Sequence, residues 1–376
     1  MNPCEQLKRP GPVRREDCQA ADTVFMNGNI YTMAGRDFHA TAMAVSGQTL
    51  QYVGDDGGAR AHIGRNTRVE DLKGRTVIPG IIESHLHFTA MGAALLDIDA
   101  FWKSKEDILA VVRATAARLK PGEWITGRGW NQEIWNGGRF PTCGELDAVA
   151  PANPVVLTRA CGHMIWVNSL ALTLAGISND TANPVGGEYL RTDTGEMIGV
   201  ITDTAMQLVT GLIPPLTGPR MRESISMAQS LLFSHGVTSA VDAGVDRKTL
   251  GLMRDLYHTG DLSVRLYAMV EAESAEAFYQ SGPESGLYGG RLDIRCIKFM
   301  NDGSLGARSA WMLSDYSDRD GHAGNGRYTD EELCESFHRA TAAGFQVAAH
   351  SIGDAANRQT IDAWERVCRM VPDGDY

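Results

Sequence analysis

From Arg75 onward the chain alternates short apolar runs with segments whose apolar residues recur every three or four positions. No other sequence feature narrows the possible folds as much. The apolar runs read as strands: "VIPGIIESH", ending near His85, then residues 236–243, 263–270, 292–300 and 344–350. Helical segments fall at 222–234, 247–259, 330–343 and 355–370. A strand that leads through a helix to the next strand crosses over and lies parallel to it, so the repetition implies an α/β fold. A TIM-like (β/α) barrel and an open doubly wound sheet both satisfy the pattern.

Two segments depart from it. Residues 22–78 are short alternating runs broken by turn pairs such as Asn27-Gly28 and Ser46-Gly47, which is β-hairpin material and reads as part of a small N-terminal β-sandwich. Residues 79–376 would then form the barrel domain, interrupted by a Gly- and Trp-rich insertion at 121–219, between strands 1 and 2. Insertions of this kind usually sit over the C-terminal mouth of a barrel, where substrates bind. Residues 1–21, charged and Pro-containing, read as a flexible tail rather than a signal peptide.

Composition excludes several functions. With 43% hydrophobic and 22% charged residues, the 376-residue chain has apolar material for a large core. A formal net charge of −11 argues against a nucleic-acid surface, which depends on clustered Lys and Arg. The 7 cysteines are scattered without a Cys-x-x-Cys pair, as expected of reduced thiols in the cytoplasm. No apolar run reaches the roughly 18 to 20 residues of a membrane span. A small-molecule substrate is the partner expected, and the sequence leaves a homo-oligomer open.

His85-Leu86-His87 closes the first apolar run. Period 2 puts both imidazoles on one face of the strand end, where they suit a divalent ion, although two unrelated histidines would look the same. Lys298 alternates with Leu292, Ile294 and Cys296, so its amine has apolar neighbours. Burial disfavours the ammonium form, and a neutral amine can add carbon dioxide. A snorkelling lysine or a salt bridge to Asp302 is the plainer alternative. His350 ends "GFQVAAH" just ahead of a helix, a common catalytic position in βα architectures, and a structural histidine is the alternative. In the insertion, His163 could bind substrate or be a loop histidine packed on Trp166. Trp130, Trp135 and Trp166 could wall an apolar pocket or simply pack. Asp302, Ser304 and Arg308 follow Lys298 closely and are candidates for the same mouth.

The segment "VIPGIIESHLHF" resembles the strand-1 motif of the amidohydrolase superfamily. The phrases "GRGWNQEIW", "GHMIWVNSLAL", "GGEYLRTDTGEMIGVITD", "IKFMNDGSLGARSAWM" and "AAHSIGDAANRQTIDAW" are similar to its amidohydrolase-3 branch of YtcJ-like and AepA-like metal-dependent hydrolases. The resemblance implies hydrolysis of carbon–nitrogen bonds other than peptide bonds in a small amide or N-acyl substrate. It implies a centre of one or two divalent ions, zinc foremost and iron or manganese also acceptable, with His85, His87, a carbamate on Lys298, and His350 as ligands. Relatives usually carry Asp where this chain has Cys161. The superfamily's strand-6 histidine and strand-8 Asp, the general base, have no matching positions up to Tyr376, and about five of the barrel's eight strands are present. A truncated barrel is therefore expected, with the base beyond Tyr376; a non-catalytic fragment that at most binds metal is the competing reading.

Overall fold

All five apolar runs form strands in a computed structural model that describes residues 20–371 except 36–38, 136, 185–186, 304, 306–307 and 318. They are β1 (Ile81–Leu86), β2 (Val237–Val245), β3 (Arg265–Glu271), β4 (Leu292–Met300) and β5 (Gln346–His350). They lie side by side in chain order, and the short strand Glu284–Gly286 runs antiparallel on β4. The pairs β2/β3, β3/β4 and β4/β5 are parallel. The sheet curls as a half-barrel, one of the two arrangements that the βα repetition allows.

Five longer helices accompany it: α1 (Phe88–Leu96), α2 (Gly218–Ser234), α3 (Arg247–Thr259), α4 (Asp330–Ala342) and α5 (Asp354–Met370). Their ends are written locally. The Asp246 carboxylate accepts the Thr249 N–H at 2.7 Å to start α3, and Gly260, at φ 82°, ends it in the left-handed conformation that glycine adopts without strain. Thr329 and Glu332 form a capping box at the start of α4. Apolar side chains of the strands, among them Leu266, Ala268, Ile294 and Ile297, are buried in one core with Leu333 and Phe337 of α4. At the end of β2, Asp242 aligns with Ala268 and Val245 with Val270, so three steps on β2 oppose two on β3. This bulge re-aims the backbone at the strand end.

The insertion builds a sheet of its own, ordered Ile98–Asp99, Ile125–Trp130, Val155–Arg159, Met164–Val167, Met197–Asp203 and Gly187–Arg191. Its first three strands are parallel and the rest antiparallel. Ile98–Asp99 lies upstream of residue 121, because the edge of this sheet is completed by the segment leaving α1.

The chain forms two compact units, Met1–Ile81 and Ile82–Tyr376. In the first, the strands Thr49–Gly54, Ala42–Ser46, Thr23–Met26 and Arg68–Asp71 make one sheet; His39–Ala40, Asn29–Tyr31 and Thr76–Val77 make another. Residues 1–19 of the expected tail lie outside the described residues, whereas Ala21 is buried and donates its N–H to the His62 carbonyl. Among the described residues, no helix is long and apolar enough to cross a membrane.

Candidate metal centre

His85 lies on β1, and His87 is the residue between β1 and α1. Their rings stand 5.8 Å apart, centroid to centroid, and nearly perpendicular, as expected of side chains two residues apart on one strand face. The two other predicted ligands come from strand ends far along the chain. Lys298 pairs in register with Glu271 on one side and Ala348 on the other, so His350, two residues beyond Ala348, shares its face.

His87 is exposed overall, yet the desolvation it does meet lowers its pKa, and the positive fields of His85, Lys298 and His350 add to the effect. Both effects favour the neutral imidazole, the form that binds metal. Lys298 is 7% exposed, and burial pushes its ammonium below the usual lysine range. The salt bridge to Asp302 does not form: the Lys298 side chain has no hydrogen-bond or ion-pair partner among the described residues. His350 Nε2 lies 2.9 Å from the Gly303 carbonyl. Donating there leaves the lone pair on Nδ1.

Two carboxylates escaped the sequence reading. Glu271 ends β3, and a Cβ on Gly244 would sit 3.6 Å from its Oε1 and 3.9 Å from His87 Nδ1, so the bulge of β2 leaves a gap that glycine keeps open. Burial, then Asp246 and Glu273, raise the Glu271 pKa. Asp242 is fully buried; Oδ1 accepts the Phe88 N–H and Oδ2 the Thr89 hydroxyl, each at 3.1 Å. A carboxylate inside an apolar strand run was the available signal, but nothing local shows what it meets.

Burial, only partly offset by those hydrogen bonds, pushes Asp242 up to about 7. A carboxyl raised in the folded state binds its proton more tightly there than when unfolded, so this group lowers stability as pH climbs from about 4 to about 7 and contributes no further change above that. The stability gap between pH 5 and pH 8 is expected to shrink in Asp242→Asn by an amount on the order of 1–3 kcal/mol. Urea unfolding midpoints of both proteins at the two pH values measure it; an unchanged gap would mean that Asp242 titrates normally.

The remaining candidates are placed elsewhere or used otherwise. Trp130 does not wall a pocket: it is 0% exposed in the insertion core, and its indole N–H donates to the Leu157 carbonyl at 2.7 Å. The expectation fails because an indole at the end of an internal strand is engulfed by its own sheet's core, where Trp135 and Trp166 pack on it. Asp302 is likewise no free substrate contact. It is fully buried and accepts the backbone N–H groups of Ile352 (2.9 Å), Gly353 (2.7 Å) and Trp311 (3.0 Å), which lash the loop after β4 to the turn after β5. Its Oδ1 lies 3.6 Å from His350 Nε2, so it steadies a candidate ligand. Arg308 is half-buried in the same loop, with φ 56°, its Nη1 3.5 Å from the Leu305 carbonyl. Ser304 lies outside the described residues. His163, in the insertion sheet, pairs through Nδ1 with Asp203 Oδ1 at 3.1 Å.

Among the described residues no three His, Cys, Asp or Glu side chains are clustered tightly enough to hold an ion. The donor types still suit one: imidazole nitrogens, an amine whose ammonium form burial disfavours and the Glu271 carboxylate beside Gly244 all carry lone pairs that a divalent cation accepts.

Residues 68–376 match the model of the family described as "Amidohydrolase family". The chain belongs to the amidohydrolase family. It is 29% identical over 361 residues to "Putative amidohydrolase YtcJ" of Bacillus subtilis, covering 91% of this chain and 66% of that protein. It is 27% identical over 371 residues to "N-substituted formamide deformylase" of Arthrobacter pascens, covering 94% and 67%. Among solved structures, an uncharacterized metal-dependent hydrolase from Pyrococcus furiosus superposes with TM-score 0.73 at 29% identity, covering 92% of this chain and 70% of that one. The chain thus spans about two-thirds of the length of these relatives. The YtcJ-like resemblance read from the motifs is upheld.

Proposed function

We propose that His85, His87, Lys298 and His350 hold a divalent metal, zinc or manganese, and that the chain belongs to an enzyme hydrolysing carbon–nitrogen bonds in small N-formyl or N-acyl amides. What supports this reading is that the His85 and His87 rings stand 5.8 Å apart at the end of β1 and that Lys298 and His350 share a face at the ends of the paired strands β4 and β5. When bound there, such an ion acts as a Lewis acid and lowers the pKa of water toward neutrality.

The chain's own residues prepare the place. Lys298, whose side chain has no partner among the described residues and whose ammonium form burial disfavours, can attack carbon dioxide: the nitrogen lone pair forms the N–C bond, one N–H proton leaves to solvent, and a carbamate results. That anion would offset the charge of the ion, which the imidazoles cannot do. His350, anchored through Nε2 on Gly303, keeps its other nitrogen available. The relative from Arthrobacter pascens bears the name of a formamide deformylase, so N-substituted formamides head the substrate panel.

The test is amine release from N-substituted formamides and N-acyl amino acids by the 376-residue chain. Turnover is expected to vanish with chelator, to return with zinc or manganese plus bicarbonate, and to be lost in Lys298→Met. Turnover that survives chelation would overturn the metal reading. Stoichiometric metal binding without turnover on any amide would overturn the hydrolytic one for this chain.

A further inference from the structure

We propose that Asp242 is the positioning residue for His87, setting the place of this ligand from a strand that contributes no ligand itself. The inference rests on the reading of His87 as a metal ligand. His87 is the N-terminal cap of α1, yet its side chain makes no capping hydrogen bond, so its ring stays free of the helix end. The orphan N–H groups of a first helical turn need acceptors. Here the acceptor is Asp242, 154 residues away in sequence: one oxygen takes the Phe88 N–H and the other the Thr89 hydroxyl, both at 3.1 Å. Holding two adjacent residues through two oxygens of one buried carboxylate fixes the rotation of the turn as well as its distance from β2.

A second contact locks the same helix from its other side. A Cβ on Gly92 would lie 2.4 Å from the Ser224 carbonyl oxygen and 3.2 Å from the Ala228 methyl, so α1 and α2 touch backbone to backbone. Phe88 and Gly92 are both buried in this seam. With α1 seated on α2 and its first turn tied to β2, the residue just ahead of Phe88 has little freedom, and that residue is His87. Groups that orient a metal ligand from behind it typically change metal affinity by about 10- to 100-fold when removed.

The experiment uses the 376-residue chain and the variants Asp242→Ala, Asp242→Asn and Thr89→Val. Zinc affinity is measured by chelator competition at one pH, with circular dichroism confirming the fold, and amide hydrogen exchange is followed over residues 87–92. Asp242→Ala is expected to bind zinc about 10- to 100-fold more weakly and to exchange faster in that segment alone. Asp242→Asn keeps an acceptor for the Phe88 N–H and should restore most of the affinity, a rescue that general destabilisation would not show. Thr89→Val removes one of the two ties and should fall between wild type and Asp242→Ala; it decides the question if Asp242→Ala does not fold. Wild-type affinity in folded Asp242→Ala, or in Thr89→Val where that variant decides, would overturn the proposal. If the wild-type chain binds no zinc, the metal reading itself fails, and exchange over 87–92 still reports whether Asp242 holds the turn.

Discussion

His87→Ala is expected to abolish measurable zinc binding and to lower metal-dependent amide hydrolysis by about 100-fold or more, the scale on which a positioned catalytic group contributes. The imidazole it removes is the one on which the fields of His85, Lys298 and His350 converge, so no neighbour can replace it by a small shift. A metal–nitrogen bond is only about 2 Å long, and a methyl group leaves a gap that side chains fixed on separate strands cannot close. Stability should change little, because the His87 side chain caps nothing and keeps an exposed edge. Metal content by mass spectrometry, turnover of an N-substituted formamide and the thermal midpoint, measured on one preparation, check the three parts. Full zinc stoichiometry in the variant would remove His87 from the ligand set.

Trp130→Ala carries the other large effect, and it is one of stability. The ring is fully buried, stands 6.0 Å from Trp135 and 6.3 Å from Trp166 by centroids, and satisfies the Leu157 carbonyl. Removing it leaves a cavity in the insertion core, expected to cost about 3–5 kcal/mol. The stranded carbonyl adds roughly another 1 kcal/mol or more. Trp130→Phe should recover much of the packing but not the hydrogen bond. Denaturant unfolding measures both. If the ring instead met substrate, the alanine variant would raise KM at unchanged stability, and that result would refute the core assignment.

How far the sequence could be read differs residue by residue. β4 and β5 were legible because apolar residues at short spacing must leave water wherever they fold, and a polar residue closing such a run must come out at the strand end. His85, His87, Lys298 and His350 stand out as candidates on that basis, helped by motif resemblance. Trp130 was misread because indoles serve packing and recognition equally well, and only the surrounding sheet separates the two. Asp302 was placed at the right loop and given the wrong duty, since its three backbone donors come from two loops, one of them following β5.

Glu271 and Asp242 show where reading along the chain stops. In sequence, one is a Glu opening "EAESAEA" and the other an Asp in "TSAVDA". Nothing nearby says that the first faces His87 across Gly244 or that the second meets Phe88. The sequence by itself determined the type and order of the elements, the ends at which polar side chains emerge and the family, because periodicity, capping and motif spacing are local properties carried by adjacent residues. The tertiary structure decided which of those side chains meet, which are buried and whose charged form burial disfavours. Desolvation and Coulomb fields depend on neighbours that only folding brings within a few ångströms.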